Sequence, residues 1–181
     1  MNLPPFKLER YFAKYEFQTE YLLCTSDAES MSIADLLAME KDAAEKFQQV
    51  WLGYTESQGS LALRREIGNL YETIPPEEIL VHAGAEEAIF LFMFSAFKEY
   101  DHVIVHSPGY QSLAEVARAA GCDVSPWPAR EENGWSLDLY ELRHLMRTNT
   151  KAIILNTPHN PTGYLMSRAD YEAVHKFAQE R

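Results

Sequence analysis

Three segments of the 181-residue chain place polar or aromatic residues directly after short apolar runs. They are AGAEEA (83–88), SPGYQS (107–112) and NTPHNPTG (156–163). Strands buried in parallel sheets are typically short and apolar, and ligands of open parallel sheets bind beyond the carboxyl ends of the strands. Since those ends meet at one edge of a sheet, we expect the three segments to lie together and to form one binding site.

The first segment predicts an anion site. It runs through Gly84 and Ala85 into a helix whose second and third residues are Glu86 and Glu87, and the backbone N–H groups at a helix start attract anions such as phosphate. We expect both glutamate side chains to point away from that anion, because like charges repel. Taken alone, Gly84 is explained more simply as a residue that permits a tight turn. Neither Gly-x-Gly-x-x-Gly nor a Walker loop occurs, which argues against a dinucleotide or a nucleoside triphosphate.

The other two segments could hold a flat heterocycle. Tyr110 follows a Pro-Gly pair, so its ring could stack on a planar ligand, and a half-buried tyrosine packed at a helix start is the alternative. Asn160 precedes Pro161 and is therefore restricted to extended geometry, which would hold its side-chain amide in one direction. Such an amide could donate a hydrogen bond to a ring oxygen, and a plain Asn-Pro turn is the alternative.

The histidines and cysteines do not indicate a metal site. His82, His102 and His106 lie in predicted strands without a second ligand at helical or hairpin spacing, so we interpret them as core or rim residues. Cys24 and Cys122 are far apart and form no Cys-x-x-Cys pair, which predicts neither a disulfide framework nor a zinc site.

Alternating strand and helix patterns predict an α/β fold with a parallel sheet. Strands are predicted over the apolar runs 78–82, 102–106 and 152–156, and over 122–128, where prolines indicate a sheet edge. Helices are predicted from Ser32 towards Val50, from Ser60 to Leu70, over 85–98, 110–120 and 138–147, and from Ser167 to Arg181, with Gly121 as one stop. Segment 85–98 is apolar almost all round, which predicts deep burial, and we interpret the first thirty residues as an irregular aromatic arm.

Composition and charge narrow the function classes. Apolar residues make up 46% and charged residues 24% of the chain, which is typical of a soluble globular protein, and the length suits one domain. The net charge of −11 argues against nucleic acid as a partner. Because neither a signal peptide nor an apolar stretch long enough for a bilayer is found, we expect a cytoplasmic protein without a membrane partner.

Taken together, the segments resemble the class I/II aminotransferase family of fold-type I pyridoxal-phosphate enzymes. The family's motifs occur in family order as YTESQGSLALRREI (54–67), G-A-x-x-A, P-x-Y and N-x-P-x-N-P-T-G. The resemblance implies a three-layer α/β/α large domain with a mostly parallel sheet. We expect residues 1–50 to form an N-terminal arm and a first helix, and residues 51–181 to form part of the cofactor-binding large domain, truncated before its end.

The resemblance also implies a role for each candidate residue. Asn160 is similar to the asparagine that hydrogen-bonds the oxygen of the pyridine ring, and Tyr110 to the aromatic residue that stacks on that ring. Gly84, Ala85 and Glu86 stand where the family binds the phosphate of pyridoxal phosphate through amides and often through a hydroxyl, which this chain does not offer there.

Two further implications concern the subunit and the chemistry. Tyr54 resembles the tyrosine that reaches the phosphate of the neighbouring subunit, which implies a homodimer. The family's cofactor-anchoring lysine has no match among the lysines of this chain, so we assign no catalytic residue and expect the 181 residues alone not to transaminate. The family often has a glycine near the substrate, and the corresponding segment 23–32 has none, which leaves the substrate class open.

Three functions follow from this resemblance. The leading one is a pyridoxal-phosphate-dependent aminotransferase that moves an amino group between an amino acid and a keto acid. A lyase or a cyclising or dehydrating enzyme on the same scaffold is an alternative, and a non-catalytic truncated protein is another.

Overall fold

The computed structural model describes residues 3–180, which divide into two compact units. One unit combines the residues up to 26 with those from 84 onwards, and the other contains residues 27–83. The helices are α1 (Lys7–Tyr15), α2 (Ile33–Ala38), α3 (Ala43–Gln48), α4 (Leu61–Gly68), α5 (Ala85–Ala96), α6 (Gln111–Ala119), α7 (Leu139–Leu145) and α8 (Arg168–Gln179). Among these residues no helix combines the length and apolar character needed to cross a bilayer. The domain boundary predicted at residue 50 stays a prediction.

Three parallel strands form the sheet of the first unit. They are β1 (His102–Ser107), β2 (Asp123–Pro128) and β3 (Thr150–Ile154), in the order β2-β1-β3. Residues 102–106 of the central strand are all buried, as a continuous apolar run predicts for a strand covered on both faces. The strands predicted at 102–106 and 152–156 are confirmed within two residues at their ends. The proline-interrupted segment 122–128 does lie at a sheet edge, where a missing N–H is tolerated.

Helices cover both faces of this sheet. On one face, Met93 of α5 packs with Val103 of β1 in a core that α6 completes. On the other face, Leu142 of α7 and Val174 of α8 pack with Ile104 of β1. Successive residues of β1 therefore enter opposite cores, as the two-residue period of a strand requires. The predicted three-layer α/β/α architecture with a parallel sheet is confirmed.

The strand predicted at 78–82 is wrong. Residues Pro76–Glu78 form one turn of 3-10 helix, and residues 79–82 pair with no strand within the described part of the chain. The Val81 N–H instead donates to the carbonyl oxygen of Gln58 at 2.9 Å, and Leu80 stays exposed. A strand needs a neighbouring strand for its backbone groups, and an apolar run alone does not supply that neighbour.

Two helix predictions also need correction. The helix predicted from Ser32 towards Val50 is two helices, α2 and α3, because Asp42 has φ of 62°, in the left-handed region that interrupts a helix. The second correction concerns α5, which is not deeply buried all round: Met93 is 3% exposed, whereas Phe92 is 60% exposed. This helix buries one stripe and leaves apolar side chains on the other.

The predictions for the chain termini and for the helix caps can be compared with the structure. The first thirty residues are not wholly irregular, because they contain the regular helix α1. The predicted caps are confirmed: Ser32, Ser60 and Ser167 accept hydrogen bonds from the N–H groups of Asp35, Leu63 and Asp170. Helix α6 ends before Gly121 as predicted. The last helix ends at Gln179, and Arg181 lies outside the described residues.

A buried arginine organises the unit of residues 27–83. The Arg64 side chain is 7% exposed, and its Nε donates to the carbonyl oxygen of Gly59 at 2.9 Å. Its Nη1 donates to the carbonyl oxygen of Pro76 at 2.8 Å. Since a buried charge is tolerated only with partners, these bonds explain how α4 is joined to the segments on either side of it.

Candidate functional site

The three predicted loops meet at one cavity of about 330 Å³ in the first unit. Its walls come from the start of α5, from the residues that follow β1 and from the residues that follow β3. The lining residues are Ala85, Glu86, Ile89, Tyr110, Leu113, Leu155, Asn156 and Asn160. Four of the six predicted cofactor-binding residues therefore lie together, and the fifth, Gly84, directly precedes the first of them.

The start of α5 presents backbone N–H groups beside this cavity. Gly84 is the residue before the helix and has φ of 146°, a conformation that favours glycine because it lacks a Cβ. No atom lies within 4 Å of the position that a Cβ at Gly84 would take, so the space in front of it is open. The first N–H groups of a helix lack intrahelical acceptors and carry the positive end of the helix dipole. This arrangement suits an anion such as phosphate.

The expectation that both glutamate side chains point away from the anion site is wrong for Glu86. This residue lines the cavity, and its charge is one cause of a raised pKa at Tyr110. A carboxylate at this place suits the helix dipole but repels a phosphate bound at the same N–H groups. The site therefore combines a favourable helix start with an unfavourable charge.

Tyr110 lies in a tight loop whose conformation requires a glycine at position 109. A Cβ on Gly109 would lie 2.8 Å from the carbonyl oxygen of His106, closer than real contacts permit, so the chain can turn this tightly only without a side chain there. Tyr110 follows as the residue before α6 and is half-buried. Burial and then the charges of Glu86 and Glu9 raise the pKa of the Tyr110 phenol. The Tyr110 side chain thus offers the cavity an aromatic face together with an O–H group.

Asn160 is held by its own loop. Its backbone N–H donates to the side-chain Oδ1 of Asn156 at 2.9 Å. The His159 N–H donates to the carbonyl oxygen of Tyr164 at 2.8 Å, and the Gly163 N–H donates to the carbonyl oxygen of His159 at 2.7 Å. These three hydrogen bonds tie the loop to itself, so the backbone of Asn160 is held in place where this residue lines the cavity. The role of Asn156 was missed from the sequence, although it stands four residues before Asn160 in the quoted motif.

A stacked histidine pair beneath the two loops was also missed. The imidazole rings of His106 and His159 have centroids 3.6 Å apart with an angle of 17° between planes. They are 4% and 3% exposed. Thr162 Oγ1 lies 2.7 Å from His159 Nδ1, whereas both ring nitrogens of His106 lack a hydrogen-bond partner among the described residues. Burial, and then the neighbouring His159, lowers the pKa of His106 to about 4, and burial lowers the pKa of His159.

The other predicted residues lie elsewhere. Tyr54 belongs to the unit of residues 27–83 and is fully exposed, so its role stays a prediction. His102 is buried between Ser125 and Thr150, whose hydroxyl oxygens lie 2.9 and 2.7 Å from its ring nitrogens. That position fits a core residue, whereas His82 is in no strand. The described part of the chain contains no group of three or more His, Cys, Asp or Glu side chains that could hold a metal.

Comparison with known proteins gives consistent matches. The sequence pattern of the family described as Aminotransferase class I and II matches residues 21–181. A crystal structure of a PLP-dependent aminotransferase from Streptococcus suis superimposes with a TM-score of 0.92 at 35% identity, over 99% of this chain and 49% of that one. The PLP-dependent cyclase OrfR superimposes with a TM-score of 0.83 at 29% identity, over 97% of this chain and 46% of that one.

The chain is also similar in sequence to a curated protein. Capreomycidine synthase from Streptomyces vinaceus is 29% identical over 163 residues, which are 89% of this chain and 42% of that protein. The chain thus spans less than half the length of each of these three proteins.

Proposed function

Because this chain belongs to the class I and II aminotransferase family, we propose that it forms the cofactor-holding part of a pyridoxal-phosphate-dependent aminotransferase that acts on an amino acid and a keto acid. The observation that carries the proposal is the single cavity shared by the start of α5, Tyr110 and Asn160. An anion site, an aromatic face and a fixed amide are the three features that a phosphorylated pyridine requires.

The residues present fit pyridoxal phosphate. The N–H groups of Ala85 and Glu86 would hold the phosphate in the open space beside Gly84. The Tyr110 ring would pack on the pyridine, and the Asn160 side-chain amide would donate to the ring oxygen. The cavity volume of about 330 Å³ lies within the usual range for small-ligand sites. When bound, this cofactor supplies an electron sink for bond cleavage at the Cα of an amino acid.

The remaining functions of the chain are positioning and electrostatics. Asn156 holds the backbone of Asn160, so the backbone that carries the side-chain amide is positioned before the ligand arrives and less ordering entropy is lost on binding. Burial and the charges of Glu86 and Glu9 raise the pKa of Tyr110, which disfavours a tyrosinate charge beside the phosphate. Glu86 works against the phosphate, and the helix dipole and the N–H groups have to outweigh its charge.

The described lining of this cavity contains no side chain that could serve as the Schiff-base lysine. None of its lining residues is a lysine. Lys151 is the second residue of β3, near the amino end of the strand, and is exposed, and Lys176 lies exposed on α8. We therefore infer that the Schiff-base lysine is supplied from outside these residues, and we expect no keto acid to form when the 181 residues are incubated with amino acids and cofactor.

A cyclising enzyme on the same scaffold is the second candidate. The similarity to the cyclase OrfR at 29% identity supports it, as does the similarity to capreomycidine synthase. Both reactions need the same cofactor site, so the residues of the cavity do not separate them.

Product analysis separates the two candidates. The full-length protein, loaded with pyridoxal phosphate, is incubated with a panel of amino acids with and without a keto acid acceptor. An aminotransferase forms a new amino acid from the acceptor, whereas a cyclase forms a cyclised product without one. Absence of a yellow chromophore that borohydride reduces would refute the cofactor assignment itself.

A further inference from the structure

The N-terminal segment lies beside Tyr110 and forms a second cavity there. This cavity of about 450 Å³ is lined on one side by Phe6, Lys7, Leu8 and Tyr11, and on the other by residues 109–111, Asn160 and Pro161. Tyr110 and Asn160 line both this cavity and the candidate cofactor cavity. The two cavities are therefore adjacent and share the two side chains assigned to the cofactor ring.

Gln111 holds the N-terminal segment in this place. The Lys7 backbone N–H donates to Gln111 Oε1 at 3.0 Å, and Gln111 Nε2 donates to the carbonyl oxygen of Pro5 at 3.1 Å. Both ends of one side-chain amide are thus used to bind a segment that lies more than 100 residues away in sequence. Gln111 directly follows Tyr110, so the same residue that starts α6 couples the N-terminal segment to the aromatic loop.

Aromatic contact strengthens this arrangement. The rings of Phe6 and Tyr110 have centroids 5.1 Å apart at an angle of 54°, a tilted geometry that is favourable for aromatic pairs. Tyr11 and Leu8 of α1 continue the wall, and they remain 48% and 39% exposed. Apolar side chains at the mouth of a site stay partly exposed until a ligand covers them.

We propose that this second cavity is the subsite for the substrate side chain, and that it selects amino acids with apolar or aromatic side chains. Its lining combines apolar side chains with three polar ones and contains no acidic residue; the apolar ones are Phe6, Leu8, Tyr11, Tyr110 and Pro161, and the polar ones are Lys7, Gln111 and Asn160. Phe6, Leu8 and Tyr11 are the specificity-determining residues, and Gln111 is a positioning residue that holds them. The inference rests on the proposed function, because the subsite is defined by its continuity with the cofactor cavity.

The lysine in the wall makes the choice of substrate class testable. Lys7 would favour a side chain that carries a carboxylate, whereas burial of apolar area on Phe6 and Tyr11 favours a side chain without one. The backbone of Lys7 is committed to Gln111. Non-reacting carboxylic acids that mimic the two classes of substrate therefore distinguish the two outcomes without turnover.

The test measures binding of 3-phenylpropanoate and of succinate by calorimetry to the full-length protein loaded with pyridoxal phosphate. We expect 3-phenylpropanoate to bind roughly tenfold more tightly than succinate, since its aromatic ring buries apolar area that the second carboxylate of succinate does not. Phe6→Ala and Tyr11→Ala should each weaken 3-phenylpropanoate roughly threefold to tenfold, because each removes an aromatic contact. Binding of succinate and of the cofactor should change little.

Matched variants keep the result interpretable. Phe17→Ala removes an aromatic side chain that is 89% exposed and does not line the cavity, so it should leave 3-phenylpropanoate binding unchanged. Phe6→Leu keeps apolar bulk and replaces the alanine variant if that variant fails to fold. Gln111→Leu removes both hydrogen bonds to the N-terminal segment, so it should weaken binding of 3-phenylpropanoate and leave cofactor binding unchanged.

The outcomes separate this inference from the proposed function. Tighter binding of succinate, or equal behaviour of the Phe6, Tyr11 and Phe17 variants, overturns the subsite while cofactor uptake persists. Failure of the unaltered protein to take up pyridoxal phosphate overturns the proposed function and the subsite with it.

Discussion

The imidazole rings of His106 and His159 stack at 3.6 Å and join the end of β1 to the loop that carries Asn160. The two residues are 53 positions apart, and each immediately precedes or lies within a segment that lines the candidate site. Since both rings are buried, the pair supports two loops at once.

The histidine pair predicts a stability that falls in acid. The pKa of His106 is about 4 in the folded protein, and that of an unfolded histidine is about 6.5. Between these values the unfolded chain binds a proton that the folded chain does not. The free energy of unfolding should therefore be fully maintained above pH 7 and should fall by about 2 to 3 kcal/mol by about pH 4.5. Urea unfolding at the two pH values measures this loss.

Two variants assign the loss to His106. His106→Leu keeps an apolar side chain of similar size and should flatten the fall in stability relative to the unaltered protein. His175→Gln removes an exposed histidine and should leave the fall unchanged. An undiminished fall in the His106 variant would assign the acid sensitivity to other groups.

Removal of the Glu86 charge should strengthen phosphate binding. Two like charges about 4 Å apart in a water-like environment cost about 1 kcal/mol, so Glu86→Gln should bind pyridoxal phosphate roughly fivefold more tightly. Pyridoxal, which lacks the phosphate, should show a smaller change. Fluorescence titration of the full-length protein measures both affinities. Glu87→Gln is the matched control because Glu87 does not line the cavity, and an equal gain there would contradict a specific role for Glu86.

A side chain at Gly109 should displace the Tyr110 loop. The Cβ of Gly109→Ala would lie 2.8 Å from the His106 carbonyl oxygen, so the backbone has to move. We expect a loss of about 1 to 3 kcal/mol in the free energy of unfolding and weaker cofactor binding. Gly134→Asn is the control, since that position has φ of 60°, a left-handed conformation that asparagine tolerates, and open space around it. Equal stability of the two variants would show that the loop accommodates a Cβ.

Loss of the Asn156 side chain should loosen Asn160. Asn156→Ala leaves the Asn160 N–H without its acceptor at 2.9 Å, which should lower the free energy of unfolding by about 1 kcal/mol. Asn156→Asp keeps an acceptor oxygen and should restore most of that stability. Chemical denaturation measures both, and the prediction fails when the two variants are equally destabilised.

Tyr54 tests the proposed homodimer. Its side chain is fully exposed, so Tyr54→Phe should change the free energy of unfolding of its own unit by no more than about 0.5 kcal/mol. If the hydroxyl reaches the phosphate of a partner subunit, the same variant should bind pyridoxal phosphate severalfold more weakly. Sedimentation of the full-length protein should show a dimer both for the unaltered protein and for the Tyr54→Phe variant. An unaltered cofactor affinity would remove Tyr54 from the site.

Local residue patterns were enough to predict the features that depend on neighbouring residues. The serine caps Ser60 and Ser167 and the apolar run of β1 are local signals, and each formed the predicted element. Chain order also placed the Tyr110 and Asn160 segments after β1 and β3, and parallel strands bring such segments to one edge. The sequence alone could therefore predict which segments line the candidate cavity.

Contacts between groups far apart in the sequence could not be predicted from local patterns. Residues 79–82 have the pattern of a strand, but no neighbouring strand pairs with them within residues 3–180, because backbone pairing depends on a partner that local sequence does not specify. The stack of His106 on His159, the approach of Glu86 to Tyr110 and the clamp of Gln111 on the N-terminal segment join residues that lie 24 to 106 positions apart. Such contacts arise from the packing of whole elements, so residue type and spacing indicate the chemistry available, and packing selects where it is assembled.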